Sequence, residues 1–509
     1  MDHSHQPDRQ PERRGALLNR RDVLAGGAAG IAGVLAGCAN GDSSQEQTTE
    51  LPGTLEASAD SGVVGDPLQF RGSGLPGGTD LDLVWHSVDG HWGLVKETEI
   101  VAPQYPARAD HVGTVATDSD GTFTYDWAFP EDYGGSHEVT VRSGDGTTLA
   151  RTTVGIEPSF ELDRTSAPLG ETFTVTAHGL GVSGYTSEYE VAWDNGLLGI
   201  VTAVSSRGRA EAVVPAAGPV GEHVLRVGRG WSGVFYLNLQ QSPYEPPDFP
   251  TWTVEVTEPA DELSGGMEVA GGPPASPETM RRIVDAQYPD ATVSGNGASL
   301  SVSPPRGSVG DRATVTGSGL PSNEGVDLVW LTKRGNRVQS GFSTSRVALA
   351  SATTDGKGRF ETQVTVPDDL GGVHPLVAEV GGSPVALATY GLDPSVAGIS
   401  PASGPVGTDF TVHLKGVGWT EYDNTYAVAY DNKLLGYACG FNSQGDVKIP
   451  LTATGPAGYH TIDLYPAVYQ GIDEGTMPDF YNKPQLSYRT DHPGRSLPAF
   501  RFVFETTES

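Results

Sequence analysis

Four histidines occupy equivalent places along this chain, and histidine is the side chain that most readily exchanges a proton near neutral pH. His137, His223, His374 and His460 each stand two residues after a glycine and directly before a stretch of alternating apolar and polar residues. Catalysis would require such a side chain at a single site. Because the histidine recurs in every unit, we predict a shared structural role, such as a hydrogen bond to a neighbouring loop.

Sequence patterns that mark common enzyme classes do not occur in the chain. It has no Gly-x-Ser-x-Gly nucleophile elbow, no His-Glu-x-x-His zinc motif and no phosphate-binding loop. The sequence therefore predicts a protein that is not an enzyme, with no catalytic residues, no cofactor and no metal ion.

One acidic turn has the residue types that calcium prefers. The run Asp118-Ser119-Asp120-Gly121 offers carboxylate oxygens, of which Ca²⁺ takes about six to eight. The equivalent run later in the chain is Asp355-Gly356-Lys357-Gly358, where a cation replaces the second acid. A hairpin turn explains both runs better, since Asp and Gly supply the backbone angles that such turns need.

The N-terminal residues resemble an export signal. The pair Arg20 and Arg21 precedes a weakly apolar run from Val23 to Gly37, as in twin-arginine signals, and the run ends in a lipoprotein-like box at Cys38. This run is shorter than the roughly 20 residues that a spanning helix needs. We therefore predict a signal over residues 1–37, a lipid anchor on Cys38 and a polar tether over 38–53. Only Cys439 then remains, so no intramolecular disulfide can form.

Composition narrows the class of protein. A chain of 509 residues is long enough for three or four domains of ordinary size. Gly (68) and Pro (37) make up about a fifth of it, which favours a turn-rich all-β protein over a disordered one. The net charge of -31 makes the protein acidic and repels phosphate backbones, so nucleic-acid binding is excluded as a function.

Internal repeats are the strongest pattern in the sequence. The segment that includes Asp82-Leu83-Val84-Trp85 returns at an offset of 245 as Asp327-Leu328-Val329-Trp330. Later matches, such as Asp194-Asn195 with Asp431-Asn432, have an offset of 237, so the second copy is eight residues shorter. We place the difference in the segment from Leu94 to Ala109 and predict a loop there. The order of the units is A-B-A-B.

Short alternating stretches bounded by turn residues predict β-sandwiches with one buried face per strand. We assign domains A1 to residues 54–156, B1 to 157–257, A2 to 298–393 and B2 to 394–509, with a linker over 258–297. None of the repeated motifs lies in the linker, so we expect each AB half to fold on its own.

The linker contains one predicted helix. Ser276 is a suitable N-cap for a helix that begins with Pro277 and ends before Pro289. Its apolar face would consist of Met280, Ile283, Val284 and Tyr288. We favour a helix that docks on the edge of a domain over a helix that recognises a partner.

The first residues of B2 resemble those of a known domain family. The stretch from Pro401 to Trp419, which contains Ser403-Gly404-Pro405-Val406-Gly407 and then Gly416-Val417-Gly418-Trp419, resembles the opening of IPT/TIG and related bacterial immunoglobulin-like domains. The resemblance implies four immunoglobulin-like β-sandwiches in tandem, which in that family serve as extracellular spacers or binding modules.

Each B unit carries a long aromatic and proline-rich segment before its last strand. The segments cover Gly228 to Pro250 and Pro466 to Pro498. Aromatic side chains offer a large contact area, and proline stiffens the loop that presents them. The candidate binding residues are Trp231, Tyr236, Tyr244, Tyr469 and Tyr481. The alternative is that these segments fold back over the sandwich or join B to A.

Two functional hypotheses follow. The first is a lipid-anchored, non-catalytic protein on the extracytoplasmic face of the cell membrane that binds or scaffolds a glycan or a surface or exported protein. The alternative is a noncatalytic accessory subunit of an exported enzyme complex, for which twin-arginine export would matter because the partner folds inside the cell.

Overall fold

A computed structural model describes residues 51–182, 187–231, 234–235, 237–238, 241, 249–293, 297–336, 341–440, 443–467, 483–494 and 497–508. The predicted signal and tether, with Arg20, Arg21 and Cys38, lie outside these residues. From Pro52 onward the chain forms one compact unit. Within the described residues, no helix is long and apolar enough to cross a bilayer.

A1 is a sandwich of a three-stranded sheet (β1-β3-β8) and a five-stranded sheet (β2-β10-β9-β4-β7), with a separate hairpin, β5-β6. Apolar residues alternate with polar ones along strands such as β3, so one face of each strand is buried in the core. The strands are β1 (Thr54–Ala57), β2 (Ser61–Gly62), β3 (Pro67–Ser73), β4 (Asp80–Val88), β5 (His91–Val95), β6 (Glu99–Gln104), β7 (Ala107–Ala116), β8 (Phe123–Ala128), β9 (Gly135–Arg142) and β10 (Thr148–Ile156).

B1 repeats this plan, with the sheets β11-β13-β16 and β12-β20-β17-β14-β15 and a small hairpin, β18-β19. Its strands are β11 (Ser159–Leu162), β12 (Ser166–Pro168), β13 (Thr172–His178), β14 (Glu188–Trp193), β15 (Gly196–Thr202), β16 (Ala210–Pro215), β17 (Gly221–Gly228), β18 (Gly230–Trp231), β19 (Val234–Phe235) and β20 (Thr251–Thr257).

The linker contributes a strand, β21 (Gly266–Val269), and a helix, α1 (Pro277–Gln287). The Oγ of Ser276 accepts a hydrogen bond from the Thr279 N–H and caps the helix, and Met280, Ile283 and Val284 are buried. Tyr288 is buried directly after the helix. The predicted helix, its cap and its docking face are confirmed.

A2 pairs the sheet β22-β24-β27 with β23-β29-β28-β25-β26, and α1 packs against β28 and β29. Its strands are β22 (Ser299–Ser303), β23 (Arg306–Gly307), β24 (Arg312–Ser318), β25 (Gly325–Asn336), β26 (Gly341–Thr353), β27 (Phe360–Thr365), β28 (Gly372–Val380) and β29 (Ser383–Leu392).

B2 pairs the sheet β30-β32-β35 with a six-stranded sheet in which β21 of the linker extends the order β37-β36-β33-β34 and β31 pairs with β37. The strands are β30 (Ser395–Ser400), β31 (Ser403–Pro405), β32 (Asp409–Lys415), β33 (Thr425–Tyr430), β34 (Lys433–Cys439), β35 (Val447–Thr452), β36 (Gly458–Ala467) and β37 (Ala499–Thr507). The chain is therefore an all-β protein of several sandwiches, as predicted.

Each A sandwich meets its B sandwich through an equivalent contact. The N–H of Gly134 donates to the Leu180 carbonyl in the first pair, and the N–H of Gly371 donates to the Val417 carbonyl in the second, both at 3.0 Å. A Cβ atom at Gly134 would lie 1.9 Å from the Gly179 carbonyl oxygen, so this approach requires glycine. Glycines that mark the repeat in the sequence are thus junction residues.

The two B sandwiches contact each other through β15 and β34, which are equivalent strands at the offset of 237. A Cβ atom built on Gly196 would lie 3.0 Å from Cγ of Lys433, the residue at the same place in the second copy. Contact between equivalent parts is the pattern of an isologous dimer interface. Nearby, Asn432 donates from Nδ2 to the Pro215 carbonyl at 2.6 Å.

The core of B1 is completed by the second half of the chain. Its buried cluster includes Ala429, Tyr465, Leu486, Tyr488 and Ala499, all of B2. The expectation that each AB half is independent is therefore wrong, because side chains from one half fill the core of the other. Of these five residues only Ala429 has an identical equivalent in the first copy, Ala192, so the repeated motifs could not reveal the shared core.

Candidate functional site

The repeated histidine of A1 is bonded on both sides of its ring. Nε2 of His137 lies 2.7 Å from the Tyr133 carbonyl oxygen and Nδ1 lies 3.0 Å from the His86 carbonyl oxygen. The ring stacks on Trp85 with centroids 4.5 Å apart. The equivalent partners of His374 in A2 are the carbonyl oxygens of Leu370 at 2.8 Å and Leu331 at 3.0 Å, and the ring of Trp330 at 4.4 Å.

The B modules keep one of these bonds and replace the other. Nε2 of His223 lies 2.7 Å from the Pro219 carbonyl oxygen, and Nδ1 lies 2.7 Å from the Asp194 carboxylate. In B2 the partners of His460 are the Pro456 carbonyl at 2.9 Å and Asp431 at 2.6 Å. In all four modules Nε2 therefore bonds the carbonyl four residues earlier, which confirms the predicted structural role.

The acidic turn of A1 uses its carboxylate internally. Asp118 accepts hydrogen bonds from the N–H groups of Asp120 and Thr122 at 3.0 and 2.9 Å and from the Thr122 hydroxyl at 2.7 Å. The bonds from Thr122 hold the pKa of Asp118 below its ordinary value. These contacts close a hairpin turn, as the Asp and Gly residues predict. Among the described residues, no group of three His, Cys, Asp or Glu side chains is placed to hold a metal.

Most of the candidate binding residues fall where the structure is not described. Tyr236, Tyr244, Tyr469 and Tyr481 lie outside the described residues, and Trp231 is placed only as part of β18. The structure describes only parts of the two aromatic segments that carry these residues, chiefly their ends.

Phe235 and Phe249 of the first segment pack on B1 itself. Phe235 lies under the Arg226 guanidinium, whose Cζ is 4.5 Å from the ring centroid. Phe249 makes edge contacts with Tyr189 at 5.8 Å and Phe160 at 6.4 Å. These two side chains therefore cover the sandwich, as the alternative interpretation predicts.

The end of the second segment crosses onto B1. Ile200 of β15 donates to the Pro484 carbonyl and accepts from the Leu486 N–H, both at 2.8 Å. The Ser487 hydroxyl accepts from the Thr202 N–H at 3.0 Å. This stretch thus joins the B modules, and its Leu486 and Tyr488 are buried in the B1 core.

Asp491 is the centre of this junction. Its carboxylate is 1% exposed and accepts from the Thr202 hydroxyl at 2.7 Å, the Val204 N–H at 2.8 Å, and the Ser205 hydroxyl and N–H at 2.6 and 3.0 Å. A fifth donor, the Trp92 indole N–H at 2.9 Å, comes from A1. One carboxylate of B2 therefore fixes both A1 and B1.

Trp92 belongs to the β5-β6 hairpin, which occupies the segment that we predicted to be a loop. That prediction is wrong, because the extra residues form strands that reach B2 and the linker helix. The N–H of Ile100 donates to the Glu421 carboxylate at 2.6 Å, and the Glu97 carbonyl accepts from the Tyr422 hydroxyl at 2.9 Å and from Nε2 of Gln287 at 2.6 Å.

The described ends of both aromatic segments meet at one end of the B1 sheet. Lys483 donates to the Glu188 carboxylate at 2.6 Å, and both side chains are largely buried. Glu188 begins β14, and two residues later Glu190 pairs with Gly228, where the first segment starts. The two segments thus converge on a fixed acidic strand end. Sequence reasoning missed Asp491, Glu188 and Lys483, since nothing local sets them apart from other surface charges.

No family model and no curated relative matches the sequence. An α2-macroglobulin of Salmonella is 9% identical over 88% of this chain and 30% of its own, with a TM-score of 0.18. A putative membrane anchored protein of Corynebacterium diphtheriae is 10% identical over 67% of this chain and 89% of its own, with a TM-score of 0.16. The Bacteroides ovatus protein SGBP-B, solved with a mixed-linkage heptasaccharide, is 9% identical over 69% of this chain and 70% of its own, with a TM-score of 0.15. Scores this low carry no argument about function.

Proposed function

We propose that this protein is a lipid-anchored, non-catalytic binding and scaffold protein on the extracytoplasmic face of the cell membrane, built of immunoglobulin-like domains related to the IPT/TIG type. Its partner is a glycan or a surface or exported protein. The non-catalytic part is supported by the repeated histidines, because both ring nitrogens of each are bonded within the fold.

The observation that carries the proposal is the convergence of the two aromatic segments at the end of β14. Lys483 holds the second segment on Glu188, and Asp491 holds the same segment on B1 and A1. Both segments therefore leave a rigid base at nearly the same point. A preorganised base lowers the entropy that is lost when a loop binds a partner.

The binding part is tested with the double variant Tyr469→Ala, Tyr481→Ala. We expect it to melt at the parent temperature and to lose retention on a glycan array or on cells, since a few aromatic anchors carry most binding energy. Phe249→Ala is the matched control, because Phe249 packs on B1 and its loss should lower the melting temperature. A double variant that melts far below the parent and binds normally would contradict the proposal.

The anchoring part is tested by fractionation. Cys38→Ser should release the protein into the medium or leave an uncleaved precursor, and Arg20→Lys with Arg21→Lys should block export. A Cys38→Ser protein that stays in the membrane fraction and carries lipid would show that the anchor is elsewhere. Co-purification of the wild-type chain with one exported enzyme would favour the accessory-subunit alternative.

A further inference from the structure

The edge strands of the two B modules are built alike. In B1 the edge strand β15 pairs with β14 so that Ile200 faces Glu190, and in B2 the edge strand β34 pairs with β33 so that Tyr437 faces Ala427. Ile200 and Tyr437 are equivalent at the offset of 237. Because the register is the same, the main-chain groups of these two residues point the same way, out from the sheet edge.

The edge of B1 is covered by an extended segment. Residues Pro484 to Leu486 lie parallel to β15 and take up the outward N–H and C=O of Ile200. The A1 hairpin adds Trp92 and Ile100 to the cluster around the Ile200 side chain. As a result Ile200 is only 1% exposed and Leu198 is fully buried.

The equivalent edge of B2 leaves its apolar side chains in solvent. Leu435 and Tyr437 occupy the positions of Leu198 and Ile200, and they are 56% and 52% exposed. An edge strand that shows apolar side chains and outward main-chain groups is a template for strand addition.

The difference between the edges has a cause in the A modules. A2 is eight residues shorter than A1 in the segment that holds the β5-β6 hairpin, and there β25 and β26 run on as one long pair. There Phe342 of β26 contacts Trp419, with ring centroids 5.0 Å apart. Phe235 and Phe249 of the first aromatic segment pack on B1 and do not cover β34.

Charge also distinguishes the two edges. Lys433 and Lys448 are exposed on β34 and the neighbouring β35, whereas the equivalent positions of B1 hold Gly196 and Glu211. These are two of only seven lysines in a chain of net charge -31. Lys433 also lies against Gly196 of β15, and Nζ of Lys448 is 3.7 Å from the Asp446 carboxylate. The part of the edge at Tyr437, where no described residue covers the strand, is thus flanked by lysine in an otherwise acidic protein. This charge favours an acidic occupant and disfavours a second copy of this chain.

We propose that β34 is a docking edge for an extended, acidic segment of a partner protein. The segment adds as a strand parallel to β34, takes up the N–H and C=O of Tyr437, and places one apolar residue over Leu435 and Tyr437, as Leu486 is placed on β15. This inference rests on the proposed binding function and names a surface for it that is separate from the aromatic segments.

The test uses a fluorescein-labelled peptide of sequence EPELDY, which keeps the proline and leucine spacing of Pro484 and Leu486 and adds acidic residues. Anisotropy titration of the full mature chain should show saturable binding, and hydrogen exchange over Lys433–Cys439 should slow when the peptide is present. Binding should weaken as salt is raised, because Lys433 and Lys448 contribute to it.

Two variants locate the contact. Tyr437→Pro removes the outward N–H without taking a bond from the β33 ladder, because proline is tolerated on the open side of an edge strand. It should weaken the peptide about tenfold or more, because it removes one net hydrogen bond and also the Tyr437 ring on which the peptide packs. Tyr437→Phe is the matched control and should bind as the parent does. Lys433→Glu with Lys448→Glu should also weaken binding and flatten its salt dependence.

Absence of peptide binding by the wild-type chain, or equal binding by Tyr437→Pro, would overturn the inference. So would a concentration-dependent dimer of the wild-type chain that Tyr437→Pro abolishes, because the occupant would then be a second copy. None of these outcomes touches Cys38 or the aromatic segments, so they leave the proposed function to its own tests.

Discussion

Replacing Asp491 with alanine should loosen the whole junction between A1, B1 and B2. The carboxylate is buried and accepts five hydrogen bonds from two other modules. Alanine leaves these donors facing one another across a small cavity. The hydroxyl groups of Thr202 and Ser205 can rotate to new partners, whereas the N–H groups of Val204, Ser205 and the Trp92 indole are fixed in place.

The fixed donors set the size of the effect. A buried donor that loses its acceptor costs about 1 to 3 kcal/mol. Taking about 1 to 1.5 kcal/mol for each fixed donor, and no cost for the hydroxyls, the loss is about 3 to 4.5 kcal/mol. That is a large effect for one substitution. This loss of stability should open the junction between A1, B1 and B2 before it unfolds any sandwich, because the four sandwiches keep most of their own cores.

Hydrogen exchange and urea unfolding together measure this loss. In Asp491→Ala we expect faster exchange over β5 and β6 and over residues 199–205, and an earlier unfolding transition in Trp fluorescence. Asp120→Ala, which removes an exposed carboxylate from a turn, is the control and should change neither. If Asp491→Ala unfolds at the same urea concentration as Asp120→Ala and its hairpin exchanges at the parent rate, Asp491 does not hold the modules together.

The other predictions concern the buried pairs of B2 and the dependence between halves. The pKa of His460 is raised, because the hydrogen bond and charge of Asp431 outweigh burial, which alone would lower it. Protonated His460 therefore stabilises the fold fully below its unfolded pKa of about 6.5, and this stabilisation is lost as the pH rises through the folded pKa. The urea midpoint of the parent should fall over this pH range, whereas that of His460→Gln should not change with pH. Arg501→Met should cost about 3 to 5 kcal/mol in urea unfolding by leaving the buried Asp463 carboxylate unpaired, and adding Asp463→Leu should restore most of it. A fragment of residues 54–258 should bind a hydrophobic dye and lose that binding when the fragment 298–508 is added; a fragment that stays dye-free alone would contradict the shared core.

Sequence patterns predicted the elements that depend on interactions between residues close together in the chain. Ser276 and Pro277 begin α1 because the cap and the fixed proline angle lie within the same few residues. The role of His137 followed from repetition, since a residue that recurs in every module serves what the modules share. The sandwiches followed from alternation with a period of two.

Contacts that depend on distant parts of the chain could not be predicted in this way. Asp491 and Thr202 are 289 positions apart, and no pattern around either residue indicates the other. The extra residues between Leu94 and Ala109 predict a loop, because an insertion usually falls in a loop. Here the extra residues form a hairpin, which is stabilised by its contacts with B2.

The contact between β15 and β34 has a consequence for how such a chain could arise. Two equivalent strands meet as they would in a dimer of separate AB chains, with Gly196 against Lys433. Joining the copies through a linker replaces a bimolecular encounter by an intramolecular one, at an effective concentration on the order of millimolar. Even a weak contact between two AB chains would then become permanent. In such a linked pair the two copies can differ, so that one carries a hairpin that the other lacks and equivalent edges serve different contacts.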